Sequence, residues 1–367
     1  MRLTLEHVEF KVGGEHWLHD IDLVLDSGSF NVLLGPTQSG KTSLMRIMAG
    51  LDKPTTGRVL VDGRDVTGVS VRERNAAMVY QQFVNYPSFT VFDNIASPLK
   101  LARRYSADEI SHKVHAAARM MHIEHLLDRL PAELSGGQQQ RTAIARALSK
   151  GAGLLLLDEP LVNLDYKLRE ELRAEMRDLF GKATTTVVYA TTDPTEALML
   201  GGHTAVLDRG CVQQFGPTTA VYHRPENVRV AEIFSDPPIN VLPANLRDGV
   251  CRISPDAAFG VPSHMRGLNE GDYRIGIRAN HVGVVAASTQ SAAVSTEVAL
   301  AEISGSETYI HGRHGDLDLI ARLDGVHSYS LGQRLTLHFD PARLFVFDRA
   351  GKLIAAPGRA IASTKAA

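Results

Sequence analysis

Apolar and polar positions alternate along 3–10, with Leu3, Leu5, Val8 and Phe10 on the apolar side, and this two-residue period predicts a half-buried strand. After Gly13-Gly14 the period returns over 17–25, where Ile21, Leu23 and Leu25 share a face and predict the partner strand. In this pattern Phe10 and Trp17 are predicted to pack in the core. The apolar run 30–34 predicts a third strand, and the spacing of 43–49 predicts a helix ended by Gly50 and Pro54. Segments 57–61 and 77–80 read as short strands, the first followed by a turn at Asp62-Gly63. From 88 to 150 the pattern is mainly helical. Ile110, Val114, Ala117 and Met121 form a stripe in a helix predicted over 108–127, and another helix runs to Leu148. Leu154-Leu155-Leu156-Leu157 is apolar at every position, as a strand buried on both faces of a parallel sheet must be. Leu168, Leu172, Met176 and Leu179 predict one more helix, and the β-branched stretch 184–190 one more strand. Such alternation predicts an α/β sheet with a helical insertion.

The pattern changes at Phe234-Ser235-Asp236-Pro237-Pro238. Short strands follow at 273–277, 294–303, 307–311, 317–323, 334–339 and 344–347, separated by turns of Gly, Asp and Asn. They predict a small all-β barrel or sandwich. The predicted organisation is an α/β domain over 1–235, its helical subdomain near 88–150, and a β domain over 236–367 that ends in a small, polar tail.

Composition narrows the function. With 367 residues and 44% hydrophobic content, the chain can bury one large core and a smaller one. A net charge of -2 without long basic blocks argues against a nucleic-acid partner. Cys211 and Cys251 suggest neither a disulfide framework nor a zinc site, which fits a reducing cytosolic compartment. Glu6 and Glu9 interrupt any apolar signal segment, and the run 154–157 is far short of the ~20 residues that span a bilayer. A membrane role is therefore expected to be peripheral. The fifteen histidines are scattered without ligand spacing.

The chemistry concentrates at Gly35-Pro36-Thr37-Gln38-Ser39-Gly40-Lys41-Thr42-Ser43, between the strand 30–34 and the helix 43–49. This is the G-x-x-x-x-G-K-[ST] phosphate loop in its strand–loop–helix setting. Loop amides wrap phosphate oxygens, and the helix N-terminus favours anions. Lys41 is expected to reach the terminal phosphates of a nucleoside triphosphate and Thr42 to ligate Mg²⁺. Asp158 and Glu159 close the buried strand, where doubly wound sheets place their chemistry. Asp158 suits Mg²⁺, and Glu159 suits the base that polarises an attacking water.

The phosphate loop, Leu134-Ser135-Gly136-Gly137-Gln138-Gln139-Gln140-Arg141 and Leu157-Asp158-Glu159-Pro160 together resemble an ATP-binding cassette (ABC) transporter ATPase over nearly the whole chain. More narrowly, the chain is similar to the sugar and polyol importer ATPases related to the maltose importer. Ile275-Gly276-Ile277-Arg278-Ala279-Asn280-His281 and Gly305-Ser306-Glu307-Thr308 look like that group's C-terminal oligomer-binding-type (TOBE-like) barrel. The resemblance implies ATP and Mg²⁺ as ligands and ATP hydrolysis coupled to solute uptake. It implies that Ser135, Gly136, Gly137 and Gln138 complete a site on a second ATPase subunit, and that Asn163-Leu164-Asp165 crosses the dimer interface. Gln81 matches the glutamine beside Mg²⁺ and the attacking water. Residues 83–92, with Tyr86-Pro87, are expected to meet integral membrane permease subunits at the cytoplasmic face of the bacterial inner membrane. A periplasmic solute-binding protein enters indirectly.

Three positions depart from the pattern. Val12 stands where the family places an aromatic residue against adenine, which removes stacking worth roughly 0.5–1.5 kcal/mol; Trp17 or Phe10 could substitute, but their strand context favours core packing for both. Gln38 replaces a small residue at an unspecified loop position. Thr192, in Tyr189-Ala190-Thr191-Thr192-Asp193, takes the place of the switch histidine that senses the γ-phosphate. These departures imply slow hydrolysis at the chain's own phosphate loop and favour pairing with a paralogous ATPase over a homodimer. The alternative is a mainly structural ATP-binding partner. The combination looks like one of the paired ATPases of bacterial glycerol importers.

Overall fold

The structure is a computed structural model of the chain and describes residues 1–162, 166–180 and 185–358. Two compact units divide it, Met1–Thr218 and Thr219–Ala367.

In the first unit, β1 (Leu3–Val12), β2 (Glu15–Leu25), β3 (Phe30–Leu34) and α1 (Lys41–Ala49) follow the predicted order, then β4 (Thr56–Val61), β5 (Arg64–Asp65) and β6 (Ala76–Val79). The helical insertion holds α2 (Val91–Ala102), α3 (Ala107–Met120) and α4 (Gly136–Ser149). After it come β7 (Leu154–Asp158), α5 (Tyr166–Phe180), β8 (Thr186–Thr191), α6 (Pro194–Leu200), β9 (His203–Asp208) and β10 (Cys211–Pro217). One sheet runs β2-β1-β4-β5 and is antiparallel. The other runs β10-β9-β3-β8-β7-β6 and is parallel except for β10. Helix α1 lies between them, burying Leu44, Met45, Ile47 and Met48 in the core formed with Leu3, Leu5, Leu33, Leu154 and Leu156. Every residue of β7 is buried, as its unbroken apolar run predicts. In α5, Leu172 and Met176 are buried, whereas Leu168 and Leu179 fall among side chains outside the description.

Two predicted details differ. Helix α3 stops at Met120 because His122 adopts φ 54°, and a separate turn of helix at Glu124–Leu126 carries the chain on. Trp17 is 49% exposed rather than in the core, whereas Phe10 packs against the core as expected. The β9–β10 hairpin is not evident in the apolar pattern.

The second unit holds β11 (Asn240–Arg247), β12 (Val250–Ser254), β13 (Ala257–Gly260), β14 (Gly271–Ile277), β15 (Val282–Gly283), β16 (Ala292–Ser304), β17 (Glu307–His314), β18 (Leu317–Asp324), β19 (Arg334–Phe339), β20 (Phe345–Phe347) and β21 (Leu353–Ala355). They form sheets β13-β12-β11-β14-β20-β21 and β15-β19-β16-β17-β18, which share one apolar core including Leu242, Ile275, Val294, Ile310, Leu319 and Leu337. The Asn240 side chain joins the two sheets by accepting from the Ile320 amide at 2.6 Å and donating to the Ile320 carbonyl at 2.9 Å. This is the predicted all-β barrel, nearly closed, with three additional strands, β11 to β13, ahead of those predicted. Residues 359–367 of the predicted tail lie outside the described residues.

Candidate nucleotide-binding site

Strand register assembles the site. Leu34 of β3 lies beside Thr191 of β8, Asp158 of β7 beside Ala190, and Val79 of β6 beside Leu157. Four neighbouring strands thus release their chains at one edge: β3 into the phosphate loop, β8 into Thr192, β7 into Glu159 and β6 towards Gln81. In parallel sheets this carboxyl edge is where ligands bind.

The loop is shaped as an anion cradle. A Cβ on Gly35 would lie 2.3 Å from the Leu207 carbonyl oxygen and 2.6 Å from Ser39 Oγ. Gly40 has φ 102°, and a Cβ there would meet Leu18 at 2.8 Å. Neither position tolerates a side chain. Ser39 is 2% exposed and its Oγ has no hydrogen-bond partner among the described residues, an unsatisfied polar atom inside a phosphate loop. Lys41, 5% exposed, donates to the carbonyls of Gly35 at 2.7 Å and Pro36 at 3.0 Å, so its ammonium is held beneath the loop. Burial lowers its pKa from the usual lysine value, opposed by the charges of Glu159 and Asp158.

Thr42 Oγ1 donates to Asp158 Oδ2 at 2.8 Å, which places a hydroxyl and a carboxylate side by side as a pair of hard oxygen donors. This donor set fits Mg²⁺. Glu159 sits 3.8 Å from Lys41 Nζ, an electrostatic contact, and accepts from Gln81 Nε2 at 2.9 Å. Its φ of 46° lies in the left-handed region, unusual for a non-glycine residue at the end of a strand. Burial raises both Asp158 and Glu159 above their usual carboxylate values, and Lys41 opposes the shift in each.

A cleft of about 730 Å³ runs along these groups, lined by Thr37, Gln38, Ser39, Gly40, Lys41, Thr42, Ser43, Gln81 and Glu159. Its far wall is Glu15, His16, Trp17, His19, Arg209 and Gly210. Gln38 adopts φ 66° there, a conformation open to its side chain at some cost. Val12 does not line the cleft; it is 47% exposed near the tip of the β1–β2 hairpin. Thr192 is exposed and does not line it either.

Residues 135–138 lie elsewhere. Ser135 caps α4: its Oγ accepts from the Gln138 amide at 3.3 Å, and Gln138 Oε1 accepts from the Ser135 amide at 2.9 Å. This reciprocal cap presents Gly136 and Gly137 at the helix start. None of the four lines the cleft described above. The stretch Asn163-Leu164-Asp165 lies outside the described residues.

Two further residues support the site, Gln140 within the 134–141 stretch and Asn94 outside any motif. Gln140, 1% exposed, donates from Nε2 to the Pro160 carbonyl and so ties α4 to the segment after Glu159. Asn94, fully buried, donates to the carbonyls of Tyr86, Phe89 and Thr90 at 3.0–3.1 Å and accepts from the Tyr86 amide at 2.8 Å. It thereby shapes the 83–92 segment, where Tyr86 and Phe89 stand exposed with rings 5.3 Å apart. A buried amide in an apolar helix gives the sequence reader no distinguishing spacing.

Known proteins resemble this chain along most of its length. The ABC transporter family profile matches residues 18–162, and the TOBE domain profile matches 275–347. The chain is 34% identical to the sn-glycerol-3-phosphate import ATP-binding protein UgpC of Pectobacterium atrosepticum, covering 90% of this chain and 92% of that protein. It is 37% identical to the oligosaccharides import ATP-binding protein MsmX of Bacillus subtilis, covering 94% and 97%. It is 36% identical to the sulfoquinovosyl glycerol transport ATP-binding protein SmoE of Agrobacterium fabrum, covering 94% and 97%. Among solved structures, the dimeric MJ0796, described as a bacterial ABC transporter cassette, matches 59% of this chain and 98% of its own, at 31% identity and a TM-score of 0.55. With relatives this similar over nine-tenths of its length, the chain belongs to the ABC transporter ATP-binding proteins that carry a C-terminal TOBE domain.

Proposed function

We propose that this chain is the ATP-binding subunit of a bacterial importer for a small carbohydrate or polyol, glycerol or a related solute, and that it couples ATP hydrolysis to uptake. The observation that carries the reading is the constellation of Lys41, Thr42, Asp158, Glu159 and Gln81 at one sheet edge, in a chain whose relatives are import ATP-binding proteins. Those relatives do not favour the reading as a mainly structural subunit.

The chain's own groups divide the work. Loop amides and the start of α1 hold the phosphates, and Lys41 sets its charge against them. Thr42 Oγ1 and Asp158 would hold Mg²⁺, with Gln81 beside them; the ion neutralises negative charge on the transferred phosphoryl group. Glu159 takes the proton of the attacking water, and the hydrogen bond from Gln81 fixes which way its carboxylate faces.

Because Ser135, Gly136, Gly137 and Gln138 lie away from the chain's own cleft, they suit a second subunit's site. The second subunit is a paralogous ATPase in this reading. Thr192 is short and uncharged where the resemblance places the switch histidine, so the site on this chain's loop turns over slowly while its α4 start completes a faster site on the partner. Residues 83–92, with exposed Tyr86 and Phe89, contact permease subunits at the cytoplasmic face of the inner membrane. A periplasmic solute-binding protein delivers the solute and never touches this chain. Among the described residues no helix is long and apolar enough to cross a membrane.

The test is ATP turnover by the purified chain, alone and with the paralogous ATPase encoded beside it, each with Glu159→Gln and Thr192→His variants. The paired reading expects low turnover alone, restoration by the partner, and a gain on the order of 10²-fold from Thr192→His. Full activity of the chain alone, abolished by Glu159→Gln and indifferent to Thr192→His, would establish an ordinary homodimer instead.

A further inference from the structure

We propose that the indole of Trp17 is the platform on which the base of the bound nucleotide stacks. The proposal rests on the reading of the cleft as a nucleoside triphosphate site and assigns the base end of it.

The argument begins with strand register. Phe10 of β1 pairs with Leu18 of β2, but the next residue, Lys11, pairs with His16. Trp17 therefore has no partner across the ladder: it is the extra residue of a β-bulge. A bulge bends the strand and re-aims the side chain it carries. Here Leu18 points into the core with no exposed surface, while Trp17 keeps 49% of its surface open. The largest apolar side chain in the protein has been turned outwards, into a charge-lined cleft.

The bulge is also fixed against the phosphate loop. The Gly210 amide donates to the Ser39 carbonyl at 3.0 Å, and the His19 amide donates to the Gly210 carbonyl at 2.9 Å. A Cβ on Gly210 would meet the Trp17 carbonyl oxygen at 2.4 Å, and one on Gly40 would meet the same oxygen at 3.3 Å. Loop, β9–β10 turn and bulge are thus in contact through backbone atoms. Trp17 and the loop residues 37–43 line one cleft, whose volume of about 730 Å³ exceeds what three phosphates need. His16 and His19, stacked at 5.3 Å with an interplanar angle of 6°, continue the aromatic wall. Val12 is not among the residues lining it. The position that lacks an aromatic side chain is therefore compensated five residues later, by an indole on the adjoining strand.

The test uses the chain's single tryptophan as its own reporter. The full-length chain is titrated with a non-hydrolysable ATP analogue and, separately, with inorganic tripolyphosphate, following Trp17 fluorescence and heat of binding. The analogue is expected to quench Trp17 and tripolyphosphate to bind without doing so. Trp17→Ala should weaken the analogue by roughly five- to 150-fold, the range that base–aromatic stacking is worth, and leave tripolyphosphate unchanged. Trp17→Phe should keep most of the affinity. Equal affinity for the analogue in Trp17→Ala overturns the proposal, and so does an equal loss for both ligands, because the ring would then only prop the loop. If the native chain binds neither ligand, the nucleotide reading itself fails, a result distinct from either of those.

Discussion

Glu196→Ala is expected to unsettle the segment after β8. Glu196 is 6% exposed and its carboxylate gathers three donors: Arg173 at 2.7 Å, Tyr189 at 3.1 Å and Thr191 at 2.6 Å. Arg173 is itself 7% exposed; its other acidic neighbours are Glu170 at 2.5 Å and Asp193 at 3.6 Å. Removing one partner of a buried pair leaves an uncompensated charge, at a cost of about 3–5 kcal/mol. Glu170 and Asp193 keep part of the compensation in place, which favours the lower end, about 3 kcal/mol. Thr191 and Asp193 flank Thr192, so the same truncation loosens the backbone on both sides of that residue.

The assay is urea unfolding followed through Trp17, which reports the first unit. With a slope of about 2 kcal/mol/M, a loss of 3 kcal/mol lowers the midpoint by about 1.5 M. The double variant Arg173→Met/Glu196→Leu removes the stranded charge and is expected to cost less than Glu196→Ala alone. A midpoint for Glu196→Ala close to that of the native chain, or a double variant that costs the sum of its singles, would refute the account of a coupled buried network.

Four further outcomes concern the site and the 83–92 segment. Burial raises the Glu159 carboxyl above the usual glutamate value, so turnover should fall, as pH drops, at higher pH than an ordinary glutamate would give. A raised folded pKa means that the stability this group contributes is present below the unfolded value and is lost as pH rises through the folded one. Glu159→Gln should therefore stabilise the ligand-free chain at neutral pH, flatten that pH dependence in thermal unfolding, and cut turnover by roughly 10²–10⁴-fold. Gly35→Ala should abolish tripolyphosphate binding measured by calorimetry, because its Cβ would sit 2.3 Å from a backbone oxygen and the loop must shift. Asn94→Leu should destabilise the chain by about 1–3 kcal/mol, by leaving buried backbone groups unpaired, and should reduce co-purification with the permease subunits.

How much of this was legible in the sequence depends on whether a feature is encoded locally. The phosphate loop was, because the sterics of Gly35 and Gly40, the charge of Lys41 and the hydroxyl of Thr42 act within one strand–loop–helix turn. The fully apolar β7 was legible for the same reason, and it carried Asp158 and Glu159 with it. The β9–β10 hairpin and β11 to β13 were not evident from the pattern used to read the chain. What escaped most completely is what depends on register or on distant pairing. Arg173 and Glu196 are 23 residues apart with a buried strand between them, and each alone reads as an ordinary surface charge. Trp17 is the sharpest instance. Period-two alternation assigns it a face, but a bulge changes the count on one strand only, and no residue of β2 announces where the count changes. The indole was therefore expected in the core, and its outward turn appears only when Phe10 and Lys11 are seen facing Leu18 and His16. From sequence alone Val12 reads as a lost contact for which Trp17 or Phe10 could substitute; which of the two rings is free of the core is a statement about register, and register is settled by tertiary packing.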